Sequence, residues 1–501
     1  MNSTTVPKAE VYRKPGRRLK EEMAPLVGRY FHAHVPGKGW KGCQMFDKAH
    51  TVMLLECGII PKEAGISILR ALQQLESRGA RELREELGGH IHCGEAYVAA
   101  TCGEEVSGWM HCGRSSGDLG AVSVRVDARD ATVDMMRRTT ELRNILLQLA
   151  QEHVDTVMPG YTQLQHAEPM TFGFYVMSLA HQLERDFERY RQAYSRINAS
   201  PAGCAILTAT DFPLDRDRTQ ELLGFDSKLT NARDAVWSMD FMLELMSAFL
   251  NTSATLSRLA DDLTIWHSSE FGMVEHPDAY CGTSSIMPQK KNPYGSQTIR
   301  GLHGGIVGQV MTFISQTNHQ SDSCEMLTMA PLSLHRSHEM CGAAVDITQG
   351  LMQGLKINAD LMRRRASMHW AQATNLANSL VRAKNMPFRN AHQIVAIFVR
   401  LATEAGQGPE QAAIDMLNQA SIEFNGEPLG LDEQFLRHAI DSGQIVNSKV
   451  VLGGTAPDTV REDIRQARLL LERDSDALAV IESRLATAAA HLTEVVERLT
   501  A

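Results

Sequence analysis

Between residues 282 and 293 the chain reads Gly-Thr-Ser-Ser-Ile-Met-Pro-Gln-Lys-Lys-Asn-Pro, a set of residue types suited to holding a di-acid. The small residues Gly282, Thr283, Ser284 and Ser285 leave a backbone that turns easily and offers N–H groups to an anion. Lys290, Lys291 and Asn292 follow, supplying positive charge and a neutral amide to carboxylate oxygens. Pro288 and Pro293 stiffen the far end, and a helical stretch from Tyr294 to Arg300 sets a helix N-terminus beside the loop. Such a device binds a dicarboxylate and stabilises extra negative charge formed on it. A solvated Ser/Lys-rich surface loop is the competing reading on residue types alone.

A second cluster with chemical potential is His90-Ile91-His92-Cys93 together with His111-Cys112. Its gaps match none of the usual zinc spacings, so no metal is expected. The nine cysteines contain no C-x-x-C pair and are expected to be reduced thiols, mostly buried.

The elements that must position these residues are helical. Leu142, Ile145, Leu146 and Leu149 fall on one face of a helix, and Leu245, Phe249, Leu256, Leu259 and Leu263 extend such a face over about five turns. Residues 175–198 and 462–500 are dominated by Ala, Leu, Glu, Arg and Gln, all good helix formers. Long helices with uncovered apolar faces bundle, within or between chains. Turn signals divide them at Gly88-Gly89, Gly113, Pro159-Gly160, Ser200 to Gly203, Asp211 to Pro213, the 282–295 loop, Met386-Pro387 and Gly453-Gly454.

With 501 residues the chain exceeds one compact core, and its 43% hydrophobic, 22% charged composition is that of an ordinary globular protein. A net charge of −9 argues against nucleic-acid binding as the main activity. The basic cluster Arg13-Lys14, Arg17-Arg18 and Lys20 reads as a solvated arm. No apolar run reaches the length of about 20 that spans a bilayer, and no apolar segment follows Arg17-Arg18 as in an export signal; a cytoplasmic location is expected.

The 282–293 segment resembles the signature of the fumarase/aspartase superfamily, G-S-S-x-M-P-x-K-x-N-P, in the variant of the argininosuccinate lyase branch. Further segments resemble that branch in the same order. His111-Cys112-Gly113-Arg114-Ser115 is similar to H-T-G-R-S, and Gly160-Tyr161-Thr162 through Phe172-Gly173 to G-Y-T-H-L-Q-x-A-Q-P-x-T-F-G. Phe212 to Arg216 resembles F-P-I-D-R, Leu380 through Arg389 resembles L-V-R-K-G-M-P-F-R, and Gly453 to Pro457 matches G-G-T-A-P. The resemblance implies an all-α chain of three regions: 1–112, a central long-helix bundle 113–365 carrying the loop 282–295, and 366–501. It implies a homotetramer whose active sites are shared between subunits, with no cofactor and no metal. The implied reaction is an anti elimination that releases fumarate through an aci-carboxylate intermediate. Ser284 stands at the position of the general base, with Lys290 and Asn292 as stabilisers of the intermediate. Arg114, Ser115, Ser116, Thr162, Gln163, Ser285, Met287 and His319 fall on substrate-contact positions.

The chain departs from the branch at its substrate contacts. The family His after Thr162 is Gln163, which exchanges no proton near neutral pH, so the acid stays unassigned with His166 as the candidate. Where the branch follows G-R-S with R-N-D, this chain has Ser116-Gly117-Asp118. Its Tyr-Asn-Lys segment gives way to Asn318-His319-Gln320-Ser321-Asp322, and no lysine or arginine stands between Arg300 and Arg336. Thr283 replaces a glycine of the signature. Lost bidentate contacts change recognition by on the order of several kcal/mol. The expected function is therefore a carbon–nitrogen lyase on an N-substituted aspartate, an aminopolycarboxylate or other specialised amine in place of argininosuccinate, running in either direction. The alternatives are an argininosuccinate lyase proper, a carboxymuconate-cycloisomerase-like enzyme, which the G-G-T-A-P segment opposes, and a crystallin-like structural protein, which Ser284, Lys290 and Asn292 oppose.

Overall fold

The computed structural model describes residues 39–87, 91–317 and 330–501, with Ala24 and Leu26. The basic cluster at 13–20, His90, Cys324 and the 318–322 segment with His319 lie outside the described residues. From Trp40 onward the described residues form α1 (Trp40–Glu56), α2 (Lys62–Ser77), α3 (Ala80–Glu86), α4 (Cys93–Cys102) and α5 (Glu104–Gly108). Ile68, Leu72, Leu75, Tyr97, Val98 and Met110 form an apolar cluster among them.

Helix α6 (Ser116–Glu152) has 37 residues, about 55 Å at the rise of an α-helix. Its start is written locally. Ser115 Oγ accepts from the Gly117 N–H, and Asp118 Oδ1 accepts from the Ser115 N–H, closing a capping box. After α6 the chain forms an antiparallel ribbon, β1 (Val157–Thr162) with β2 (Gln165–Thr171), and enters α7 (Phe172–Ile197). The short pair β3 (Ala199–Ser200) and β4 (Ser227–Lys228) brackets α8 (Arg216–Leu223). Helices α9 (Ala232–Trp237), α10 (Asp240–His267), α11 (Tyr294–Gln316) and α12 (Ala330–Gln353) follow, and α6, α7, α10, α11 and α12 pack on one another as the bundle. Every residue of the Leu245–Leu263 stripe read from the sequence is buried in its core.

Between α10 and α11 lie β5 (Val274–Glu275), β6 (Gly282–Thr283) and β7 (Lys291–Asn292); β5 pairs with β8 (Lys356–Ile357), and β6 with β7. Helix α13 (Ala359–Ala366) rests on β1. Helices α14 (Ala373–Lys384), α15 (Phe388–Glu404), α16 (Ile414–Asn425), α17 (Glu433–Ala439) and α18 (Ser442–Asn447) follow, and a separate apolar cluster holds Leu376, Leu380, Ile394, Phe398, Leu417 and Leu436. The last helix, α19 (Pro457–Thr500), leaves that cluster and runs back along the bundle. Ile464, Leu471 and Leu478 enter the bundle core, and Leu492, Val495 and Val496 join Phe46 and Leu223 beyond it.

Two expectations shift. Pro159-Gly160, read as a helix end, sits inside β1, because α6 already stops at Glu152. Pro159 faces Pro169 there, tolerated because both strands of a two-stranded ribbon are edges. No disulfide joins the eight described cysteines to one another, but only Cys43, Cys93, Cys204 and Cys341 are buried; Cys57 is exposed. No helix among the described residues is long and apolar enough to cross a membrane.

Candidate active site

The pairing of Gly282 with Asn292 and Thr283 with Lys291 clasps the signature loop at its base. A Cβ at 282 would lie 2.0 Å from the Tyr294 ring, so a larger residue there must displace that ring. Thr283, in the place of a signature glycine, lies in extended backbone that any residue adopts. Inside the clasp, Ser284 Oγ accepts from the N–H groups of Ile286 (3.3 Å) and Met287 (3.1 Å). Two amide donors aimed at a hydroxyl oxygen favour its charged form. Ser284 is half-buried, whereas Ser285, Met287 and Lys290 are exposed.

The two lysines of the loop differ in their commitments. Lys291 Nζ pairs with Glu275 (2.8 Å) and Asp278 (2.6 Å), whose carboxylates hold its pKa above the ordinary value. The Lys290 side chain is exposed and its ammonium makes no ion pair among the described residues. Asn292 follows in β7, and Pro293 caps the start of α11.

Behind the loop stands a histidine pair that the sequence reading passed over. His267, the last residue of α10, places Nε2 3.3 Å from the Lys291 carbonyl oxygen. Its Nδ1 accepts the backbone N–H of His276 (3.3 Å), and the two rings stack at 4.6 Å. His276 is fully buried, and burial with the neighbouring His267 pushes its pKa down to about 4. Two histidines shortly before the loop were the signal, with no motif around them.

Thr162 and Gln163 lie at the exposed tip of the ribbon, where Thr162 faces Gln165 across a two-residue turn. Gln163 (φ 53°) and Leu164 (φ 59°) are both left-handed there, the conformation such a turn demands. His166 is half-buried against Tyr161 and His369, ring centroids 5.1 and 4.6 Å away, and burial lowers its pKa. Tyr161 also touches Phe271 and Met273 beyond α10, joining the ribbon to the segment that carries the signature loop.

The 111–118 segment is differently placed. The Arg114 side chain is 1% exposed, with Nη1 on Asp47 (2.8 Å) and Nη2 on Glu95 (2.5 Å). Asp47 also accepts from Arg84 (2.6 Å), and Glu95 pairs with His111 (2.8 Å). Burial by itself would lower the Arg114 pKa, but the two carboxylates outweigh it and the net shift is upward. Burial likewise acts to raise the Glu95 pKa, and donors from His111 and His92 with the Arg114 charge carry it below the carboxylate range. His92, Glu95 and His111 are near enough to share a metal ion. However, Glu95 Oε1 already receives Arg114 and His111, and the guanidinium would repel a cation. Ser115 and Ser116 stand half-buried at the start of α6. Asp118 is buried below them, accepting also from the Ala205 N–H (3.2 Å), and burial pushes its pKa up to about 6.

One chain thus gathers the ribbon and the signature loop at one end of the bundle. Arg114, Ser115 and Ser116 lie at the opposite end of α6, about 55 Å away by its length.

Residues 43–308 match the family described as Lyase, and residues 370–450 match the argininosuccinate lyase C-terminal family. The chain is 36% identical over 455 residues to an argininosuccinate lyase of Methanosarcina acetivorans, covering 90% of this chain and 91% of that protein. It is 37% identical over 458 residues to that of Methanosarcina mazei, with 90% and 91% covered. Among solved structures, an EDDS lyase in complex with formate superposes with a TM-score of 0.88 at 30% identity, covering 95% of this chain and 96% of that one. An EDDS lyase variant with bound fumarate superposes equally well, with 96% and 97% covered.

Proposed function

The chain belongs to the argininosuccinate-lyase-like branch of the fumarase/aspartase superfamily and is a carbon–nitrogen lyase acting on an N-substituted aspartate, and on that premise we propose how its residues act and which substrate they take. Ser284, as the oxyanion, removes the proton beside a carboxylate of the succinyl group. The electron pair passes into that carboxylate, and Lys290, Asn292 and loop amides hold the added charge. Collapse of this aci-carboxylate breaks the C–N bond, the departing nitrogen takes the bond pair and a proton delivered from solvent or from the candidate acid His166, and fumarate remains. The supporting observation is the Ser284 hydroxyl with two amide donors, in a loop whose exposed Lys290 makes no ion pair among the described residues.

The substrate proposed is an aminopolycarboxylate or another specialised N-substituted aspartate. The contacts that would read a guanidino leaving group are replaced by Ser116, Gly117, Gln163 and the segment around His319. The similarity to an EDDS lyase supports this reading, and the relatives named argininosuccinate lyase support the alternative. Thr162, Ser285 and Met287 complete the proposed substrate surface, whereas Arg114 serves it by fixing the 111–118 segment.

A homotetramer with shared sites is part of the proposal. Motif residues about 55 Å apart in one chain meet around a small substrate only when copies are combined. Helix α11 also presents Val307 and Met311 (60% exposed) beside Gly301, Gly304 and Gly308, where an added Cβ would meet nothing, a face open to another helix. We further divide the chain into regions 1–112, 113–365 and 366–501, supported by the separate apolar clusters, with α19 returning to the bundle.

The test is incubation with fumarate and a panel of amines, and with argininosuccinate, following fumarate absorbance. Turnover with an amino acid or diamine but not with argininosuccinate supports the proposal; turnover with argininosuccinate alone selects the alternative. Ser284→Ala is expected to abolish turnover with the oligomer intact, and retained activity removes Ser284 from its role.

A further inference from the structure

We propose that His267 is a positioning residue, which holds the Lys291 carbonyl and so aims Lys290 and Asn292 at the substrate. The proposal rests on the functional reading of the loop given above. The protonation state follows from the contacts. Nδ1 of His267 receives the His276 N–H and therefore carries no proton, so Nε2 bears the hydrogen and donates to the Lys291 oxygen. Only the neutral Nε2–H tautomer makes both bonds. An imidazolium would turn an N–H toward the His276 N–H and lose the contact.

The surroundings support that single state. His276 stacks on the half-buried His267 with 23° between the ring planes and is itself fully buried. The charged groups around them are Lys291 of β7, Glu275 of β5, Asp278 and, on Glu275, Lys356 of β8. Lys291 is therefore held twice, by its carbonyl at His267 and by its ammonium at Glu275 and Asp278. Side chains alternate along extended backbone. Lys291 turned toward the 267–278 segment leaves Asn292 directed to the other face, and fixes the backbone from which Lys290 projects. The clasp of β6 on β7 then carries the same constraint to Thr283, next to Ser284.

The experiment compares His267→Leu, which keeps volume but no polar atom, with His267→Gln, which keeps a donor and an acceptor without titrating. Two readouts are used: steady-state kinetics over pH 5.5–9, and hydrogen exchange of the 282–293 peptide, which needs no substrate. For His267→Leu the expected result is a 10- to 100-fold drop in kcat with KM within threefold, and faster exchange of the loop. His267→Gln is expected to recover most of kcat and to return loop exchange toward the wild-type rate. Loop exchange unchanged in His267→Leu, or kcat within twofold of wild type, would overturn the proposal. Faster loop exchange in a protein without lyase activity on any substrate tested would overturn the functional reading while leaving the clamp intact.

Discussion

Replacing Arg114 with methionine removes one buried cation from between two buried carboxylates. Asp47 and Glu95 are each 1% exposed, at 2.8 and 2.5 Å from the guanidinium. Breaking a buried pair by removing one partner costs about 3–5 kcal/mol, because the other charge stays buried. Here the low end applies, about 3 kcal/mol, since Asp47 keeps Arg84 and Glu95 keeps His111. With a urea slope on the order of 2–3 kcal/mol per M, the midpoint of the N-terminal region should fall by roughly 1 M. Trp40 and Trp109, packed against the apolar cluster of that region, report it by fluorescence. Adding Glu95→Gln should recover about 1 kcal/mol or more, because the uncompensated charge is gone. The KM of the folded variant should stay within a few-fold of wild type. An unchanged midpoint together with a tenfold or larger rise in KM would refute the reasoning and return Arg114 to the substrate surface.

Gly282→Ala should lower kcat by roughly 100-fold at nearly unchanged stability, because the new Cβ displaces the partly exposed Tyr294 ring and shifts the loop base; wild-type kcat would contradict it. Gln163→His should fold normally, since histidine tolerates the left-handed turn, and should add an ionisation near neutral pH to the pH–rate profile; an unaltered profile removes position 163 from proton transfer. His181 joins α7 to α19, where Glu184 and Asp463 raise its pKa to about 9. The folded value lies above the unfolded one of about 6.5, so the contribution is complete below that pH and is lost as pH rises through about 9. Solvent screening holds it to about 1 kcal/mol. His181→Gln should thus lower Tm at pH 6 and match wild type at pH 9.5, and equal losses at both would refute the assignment.

The helices and the signature loop were legible in the sequence because both are local. An apolar stripe such as Leu245 to Leu263 repeats every turn whatever lies opposite it, and all of its members are buried in the bundle. The capping box at Ser115 and Asp118 is likewise written within a few residues. The ribbon at Pro159 was hidden, since six- and seven-residue strands carry too little alternation to register beside long helices. The separation of Arg114 from Lys290 was equally invisible. Both are single cations in recognisable motifs, but one is spent on Asp47 and Glu95 and the other makes no ion pair among the described residues. The same holds for the His267 and His276 pair. The sequence by itself determined the long helices and the family, because those reside in short segments. The tertiary structure alone decided which charges of the described residues are paired, which imidazoles lie against the loop and which motifs one chain can bring together. For Arg114 the outcome depends on residues 19 and 67 positions away sharing one buried space.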